Sequence, residues 1–164
     1  MVINNLWGNM DISKYVNTGY EILFISLTVP LIAQTIKFVS HFLYKRSFDV
    51  RLFTTTGGMP SAHSASVVGL STAVGLIKGF NSVEFAIALG YAFVVMYDAA
   101  GLRRAAGRQA ACLNRILQDF YRHEMQEIGG KLKELLGHTP LQVFCGAILG
   151  IVYAYYMHVY VFLK

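Results

Sequence analysis

The sequence predicts an all-α fold, a polytopic membrane helical bundle of about four spanning helices with a cytoplasmic amphipathic helical segment. Three observations predict it. Hydrophobic residues make up 55% of the 164-residue chain and charged residues only 14%, whereas a soluble domain runs nearer a quarter charged. Four stretches, roughly Tyr20–Leu43, Ser61–Ile77, Val83–Gly101 and Leu141–Leu163, are apolar enough to cross a bilayer, and crossing takes about 20 mostly apolar residues at about 1.5 Å each. Basic residues also concentrate in two of the connections between those stretches. A soluble protein with unusually apolar helices is the alternative, and this patterning disfavours it. The length suits one domain over residues 1–164.

Taken in order, Met1–Gly19 lacks the basic start and cleavage pattern of a signal peptide. Trp7, Tyr15 and Tyr20 suit an aromatic belt at the outer interface. The two middle spans are rich in Gly, Ala and Ser, which let helix backbones approach closely in a bundle. Lys45, Arg46 and Arg51 lie between the first and second spans. Arg103, Arg104, Arg108, Arg115, Arg122, Lys131 and Lys133 lie between the third and fourth. The other side offers Lys14, Lys78 and Lys164. Positive residues mark cytoplasmic loops, so both basic connections face the cytoplasm and both termini face out. The net charge of +5 is thus placed for membrane topology, and no nucleic acid partner is expected. Cys112 and Cys145 have neither disulfide-framework nor thiolate-metal spacing.

Arg103–Leu136 is too charged to cross a bilayer, and its apolar residues recur in steps of three and four: Leu113, Ile116, Leu117, Phe120, then Met125, Ile128, Leu132 and Leu135. Gly129–Gly130 is expected to break or bend it. Three arrangements fit: a hairpin packed on the bundle, an amphipathic helix on the inner leaflet, or a contact in a homo-oligomer.

On this topology the polar residues of the spans gather at one depth on the cytoplasmic side. Gln34, Lys37 and His41 fall in the inner half of the first span, and Tyr97 and Asp98 at the inner end of the third, with Arg103 and Arg104 just beyond. The second and fourth spans begin inside, with Gly57-Gly58-Met59-Pro60-Ser61-Ala62-His63-Ser64 and Gly137-His138-Thr139-Pro140. Ionisable groups inside a membrane are costly and default to functional candidates. Proline suits the first turn of a helix, Ser and Thr cap it, and the helix start attracts phosphate. Each motif adds a histidine there. One histidine can attack phosphorus while the other protonates the departing oxygen; Lys37, Arg103 and Arg104 can neutralise the equatorial oxygens.

These residues resemble a known family. Gly57–Ala65 is similar to the Pro-Ser-Gly-His-Ser signature of the type 2 phosphatidic acid phosphatases, relatives of the vanadium haloperoxidases, and His138-Thr139-Pro140-Leu141-Gln142-Val143 looks like their final His-x-x-x-Asp-Val motif. The set is closer still to the divergent bacterial and plant branch, through Ala33, Gln34 and Lys37, the Gly-Gly-Met-Pro-Ser run, Tyr97–Arg104, Ala106–Ala110, Leu113-Asn114 and Gly137–Pro140. The resemblance implies an integral-membrane, metal-independent hydrolysis of a lipid phosphomonoester or diphosphate. His138 would be the nucleophile and His63 the general acid; apart from the resemblance, Asp98, if it reaches His138, can supply the charge that Gln142 lacks. Ser61 and the Gly57–Gly58 backbone would hold phosphate oxygens; beside the resemblance, the residues themselves offer Lys37, Arg103 and Arg104 for phosphate and Gln34, Ser64, Asn114, Thr139 and Gln142 in support.

The chain departs from the parent pattern at Ala62 in place of Gly, at Leu132 in place of an arginine, and at Gln142 in place of the carboxylate that orients the nucleophile. The parent lysine motif is also absent, with Lys37 as its functional substitute. No cofactor and no metal are expected. The expected partner is a phosphorylated lipid of a bacterial inner or plastid-type membrane, met from the cytoplasmic side. Phosphatidylglycerophosphate is favoured, with phosphatidic acid and prenyl phosphates as candidates. A non-catalytic protein that binds anionic lipid or organises partners, and a metal-dependent phosphatase using Asp98, are the competing readings. His41, His123 and His158 read as structural or interfacial, and Tyr153, Tyr155, Tyr156 and Tyr160 as packing and outer belt.

Overall fold

The computed structural model describes residues 12–45, 58–120 and 137–164, with side chains except at residues 12, 13, 44, 45, 103, 104 and 117–120. A 3₁₀ turn, Ile12–Tyr15, leads into α1 (Gly19–Lys45), followed by α2 (Ala62–Lys78) and α3 (Val83–Tyr97). A π-helical turn, Asp98–Leu102, joins α3 to α4 (Arg103–Phe120), and α5 (Pro140–Tyr156) continues into a second π-helical stretch, Met157–Phe162. The four expected spans correspond to α1, α2, α3 with its π turn, and α5 with its π stretch. The fold is all-α. Among the described residues α1, the α3–α4 run and α5 with its extension are long and apolar enough to cross a membrane. α2 has 17 residues and occupies the centre, packed against α5, α1 and α3.

Helix spacing explains which faces meet. On α1, Glu21, Ile25, Val29, Ala33 and Lys37 recur every fourth residue and are all buried, because side chains four apart share a helix face. Leu23, Leu27, Leu31 and Val39 occupy the other faces and are exposed, as lipid-facing residues of a span would be. α3 lies at the periphery: only Ala88 and Ala92 of it are buried, while Ile87, Tyr91, Phe93 and Val94 face outward.

The tightest seam joins α2 to α5 through small residues. Gly146, Gly150 and Ala154 form a stripe on α5, each buried. A Cβ at Gly150 would lie 2.6 Å from the Ala65 carbonyl oxygen and 2.8 Å from the Gly69 nitrogen, and one at Gly146 would run into the Ser61 carbonyl. Small residues let the backbones close, so packing holds helices that a lipid solvent does not drive together. Polar bonds pin α1 to this pair: Ser66 Oγ donates to the Ser26 carbonyl at 2.8 Å, and Tyr153 Oη donates to Thr28 Oγ1 at 2.9 Å. Tyr153 thus packs inside the bundle, and Tyr155, Tyr156 and Tyr160 lie on the exposed surface.

At the end of the bundle where α1 begins, His158 Nδ1 meets Glu21 Oε1 at 2.7 Å, and the Asn17 amide donates to Glu21 Oε2 at 2.8 Å. Glu21 is completely buried and His158 nearly so. A buried charge demands a partner, and each oxygen of Glu21 has one. His158 is thus engaged with Glu21 inside the bundle.

α4 is the direct continuation of α3 through the π turn. Gly107 and Asn114 on it are buried, and Leu113 and Ile116 are exposed. The rest of the amphipathic segment, with Gly129–Gly130 and His123, lies outside the described residues, as do Trp7, Arg46 and Arg51.

Candidate active site

The starts of α2 and α5 come together, and local sequence explains why each helix begins where it does. Ser61, at the N-cap of α2, accepts at its Oγ from the Ser64 amide (3.3 Å) and from Ser64 Oγ (3.0 Å). Thr139 caps α5 with a capping box: the Gln142 amide donates to Thr139 Oγ1 at 3.4 Å, and the Thr139 amide donates to Gln142 Oε1 at 3.0 Å. Pro140 occupies the first turn, where its missing N–H leaves no bond unmade. The Ser61 amide then donates to the Gln142 carbonyl at 3.0 Å, tying one helix start to the other. Two positive helix ends thereby converge, and each favours an anion.

The two motif histidines meet at this junction. Their ring centroids lie 5.9 Å apart with planes 82° apart, edge to face. His138 is 2% exposed, whereas His63, on the first turn of α2, is open to its surroundings. The His138 amide donates to the Ala99 carbonyl at 3.1 Å, which draws the Asp98–Leu102 π turn against the start of α5. π-helical turns are rare and recur at functional sites. Asp98 opens this turn and is half-buried.

α1 contributes Lys37, 6% exposed although its ammonium is a costly group to bury. Its aliphatic stem lies along the turn that precedes α2: a Cβ added at Gly58 would be 3.6 Å from Lys37 Cδ. Gly58 has φ +80°, a conformation that glycine tolerates and other residues resist. Gly58 therefore shapes the backbone beside Lys37. Gln34, one turn earlier on α1, has its Oε1 buried with no hydrogen-bond partner among the described residues, and the same holds for His41 Nδ1.

The described structure thus brings together Ser61, His63, Ser64, His138, Thr139 and Gln142, with the Asp98 turn alongside, and sets the stem of Lys37 beside Gly58. Asn114 is buried on α4. Arg103 and Arg104 open α4, but their side chains, and Gly57 altogether, lie outside what is described. Gln142 does something the motif did not foretell. Its side-chain oxygen caps α5, and its carbonyl holds Ser61. Glu21 escaped notice in the sequence, although an acid in the first turn of an apolar span, with His158 near the far end of the last span, was the available signal.

Buried polar groups from separate helices, meeting at one end of an apolar bundle, define a class of protein: an integral membrane protein with a polar site set into its helices. The particular family follows from comparison. A profile described as the Divergent PAP2 family matches residues 18–153, and the chain belongs to that family. It is also 44% identical over 139 residues to "Uncharacterized membrane protein YuiD" of Bacillus subtilis (strain 168), an alignment covering 79% of this chain and 88% of that one. No solved structure matches.

Proposed function

We propose that this protein hydrolyses the phosphate monoester of a membrane lipid through a phosphohistidine. The observation that carries this reading is the juxtaposition of His63 and His138 at the converging starts of α2 and α5. In the first step His138 attacks phosphorus, and the bond from phosphorus to the lipid oxygen breaks as His63 gives that oxygen a proton. In the second step water, giving a proton to His63, attacks the phosphohistidine and releases inorganic phosphate. Lys37 and the helix ends neutralise the oxygens on which charge is concentrated, the main task in phosphoryl transfer. Asp98 supports the imidazolium that forms at His138, and Arg103 and Arg104, which open α4, are the further candidates to hold phosphate.

The site opens to the cytoplasm if the basic connections mark that side, which suits lipids phosphorylated on the inner leaflet. Phosphatidylglycerophosphate is the first candidate, with phosphatidic acid and prenyl phosphates next. The test is phosphate release from each of these by purified protein in detergent, with and without chelator. Release from one of them that survives chelator supports the reading; release abolished by chelator favours a metal-dependent route.

Gln142 favours a second reading. Where the parent motif has a carboxylate, this chain has a side chain whose oxygen is engaged in capping. A protein that keeps the pocket to bind an anionic lipid headgroup without turning it over needs no such carboxylate. Binding of the lipid phosphates without release from any would establish that alternative.

A further inference from the structure

A groove of about 640 Å³ opens between α1 and α5, lined by Ile36 and Ser40 of α1, Met59 and Pro60 of the turn before α2, and Cys145, Ile148, Leu149 and Val152 of α5. Its volume falls in the range of small-molecule sites, roughly 300–1,000 Å³. The lining is almost wholly apolar. The one hydroxyl, Ser40 Oγ, donates to the Lys37 carbonyl at 2.9 Å and so is already satisfied within α1.

Its position decides what fits. Pro60 of its lining is the residue before Ser61, and Ile36 adjoins Lys37 in sequence. The apolar trough therefore lies beside the turn that leads into the candidate phosphate site. From Cys145 to Val152 is two turns of α5, so it extends roughly 10 Å along the bundle. Both walls belong to spanning helices whose neighbouring outward residues, Ile32 and Leu43 on α1 and Phe144 and Ile151 on α5, are exposed as lipid-facing side chains are. An occupant suited to it is apolar along its length, with any polar end at the Met59–Pro60 turn.

We infer that this groove holds a hydrocarbon chain of the lipid whose phosphate occupies the histidine site. The inference rests on the proposed function for the identity of the head, and deepens it by assigning the tail. α1 and α5 then select the substrate: a chain seated between Ile36 and Ile148 sets the depth at which the phosphate meets His138. Burying each methylene contributes about 0.8 kcal/mol when water is displaced, but here the groove competes with the bilayer. Its contribution is therefore positioning more than affinity.

The experiment uses the full chain in phosphatidylcholine nanodiscs with a phosphatidic acid carrying a diazirine in its acyl chain. After irradiation, labelled residues are mapped by mass spectrometry. Labelling concentrated on the 36–40, 59–60 and 145–152 segments, and displaced by unlabelled phosphatidic acid but not by excess phosphatidylcholine, is expected. Ile148→Trp, at a position 47% exposed and thus free to accept bulk, should reduce that labelling at least fivefold while leaving the thermal midpoint unchanged. Labelling spread evenly around the outward faces of the helices, or unaffected by the competitor, would overturn the inference. So would a second copy of the chain cross-linked through the groove in place of the probe. Groove labelling in a protein that releases no phosphate would retain the tail site while removing the phosphatase reading. Phosphate release that Ile148→Trp leaves unchanged, without groove labelling, would do the reverse.

Discussion

His63 and His138 stand edge to face with ring centroids 5.9 Å apart, one ring open and the other buried. The asymmetry matches the two roles proposed for them. A nucleophile gains from a fixed, enclosed setting, whereas a general acid must exchange protons with water between turnovers. Replacing His63 with Ala should lower phosphate release from a lipid monoester by about 10²–10⁴-fold, the usual contribution of a positioned acid. With an activated phenolic phosphate, whose oxygen leaves without a proton, the loss should shrink to within about tenfold. Comparing the two substrates in one preparation checks this. An equal loss on both would mean that His63 does not act as the acid.

Lys37 tests the electrostatic part of the site. Lys37→Met keeps the length and packing of the stem along Gly58 and removes the charge. Phosphate release should fall by roughly 10²–10³-fold, in line with loss of one preorganised charge-stabilising group. The thermal midpoint should stay the same or rise, because a buried charge is removed. A variant with full activity would show that Lys37 merely fills space.

The Glu21–His158 pair closes the opposite end of the bundle, where α1 starts and α5 ends. Removing one partner, in Glu21→Ala or His158→Ala, leaves a buried polar atom of the other without its hydrogen bond and should destabilise the fold by about 1–3 kcal/mol. Replacing both with apolar residues of similar volume should recover most of that loss. Activity per folded molecule should not change in any of these variants, since neither residue lies at the histidine site. Denaturation of the single and double variants, read as a double-mutant cycle, measures the coupling.

Gln142 is predicted to act through helix geometry. Gln142→Ala removes one half of the capping box and should lower stability by about 1 kcal/mol, with activity reduced less than tenfold. Gln142→Glu keeps the box and places a negative charge at a helix start, so stability should hold or improve slightly. Thermal unfolding and phosphate release of both variants check this. A drop in activity of 10³-fold in Gln142→Ala, without loss of fold, would instead give Gln142 a direct hold on the His138 ring.

What could be read from sequence follows from which features are local. The four spans and the starts of α2 and α5 were legible because hydropathy, Pro and capping hydroxyls act over a few residues. Ser61 and Thr139 mark their helices unaided. The partnership of Glu21 with His158 was not legible, because it depends on which helices adjoin and how they are rotated. Gln142 was assigned by its place in a motif, and its capping role emerges only from the turn that Thr139 and Pro140 build. The stripe Gly146, Gly150 and Ala154 carried a visible spacing, yet its partner surface on α2 needed the folded bundle. The π turn at Asp98–Leu102 has no sequence signature of its own, and it draws the Ala99 carbonyl to His138.

The most direct test of the phosphohistidine is to trap it. Protein mixed with lipid monoester labelled in its phosphate should, when quenched in alkali, carry label that survives base and is lost in acid. That label should map to His138 and be absent from His138→Ala, which should also release no phosphate above background. Phosphate release from His138→Ala at a rate near that of the unaltered protein, or turnover with label on another side chain, would contradict a phosphatase built on His138.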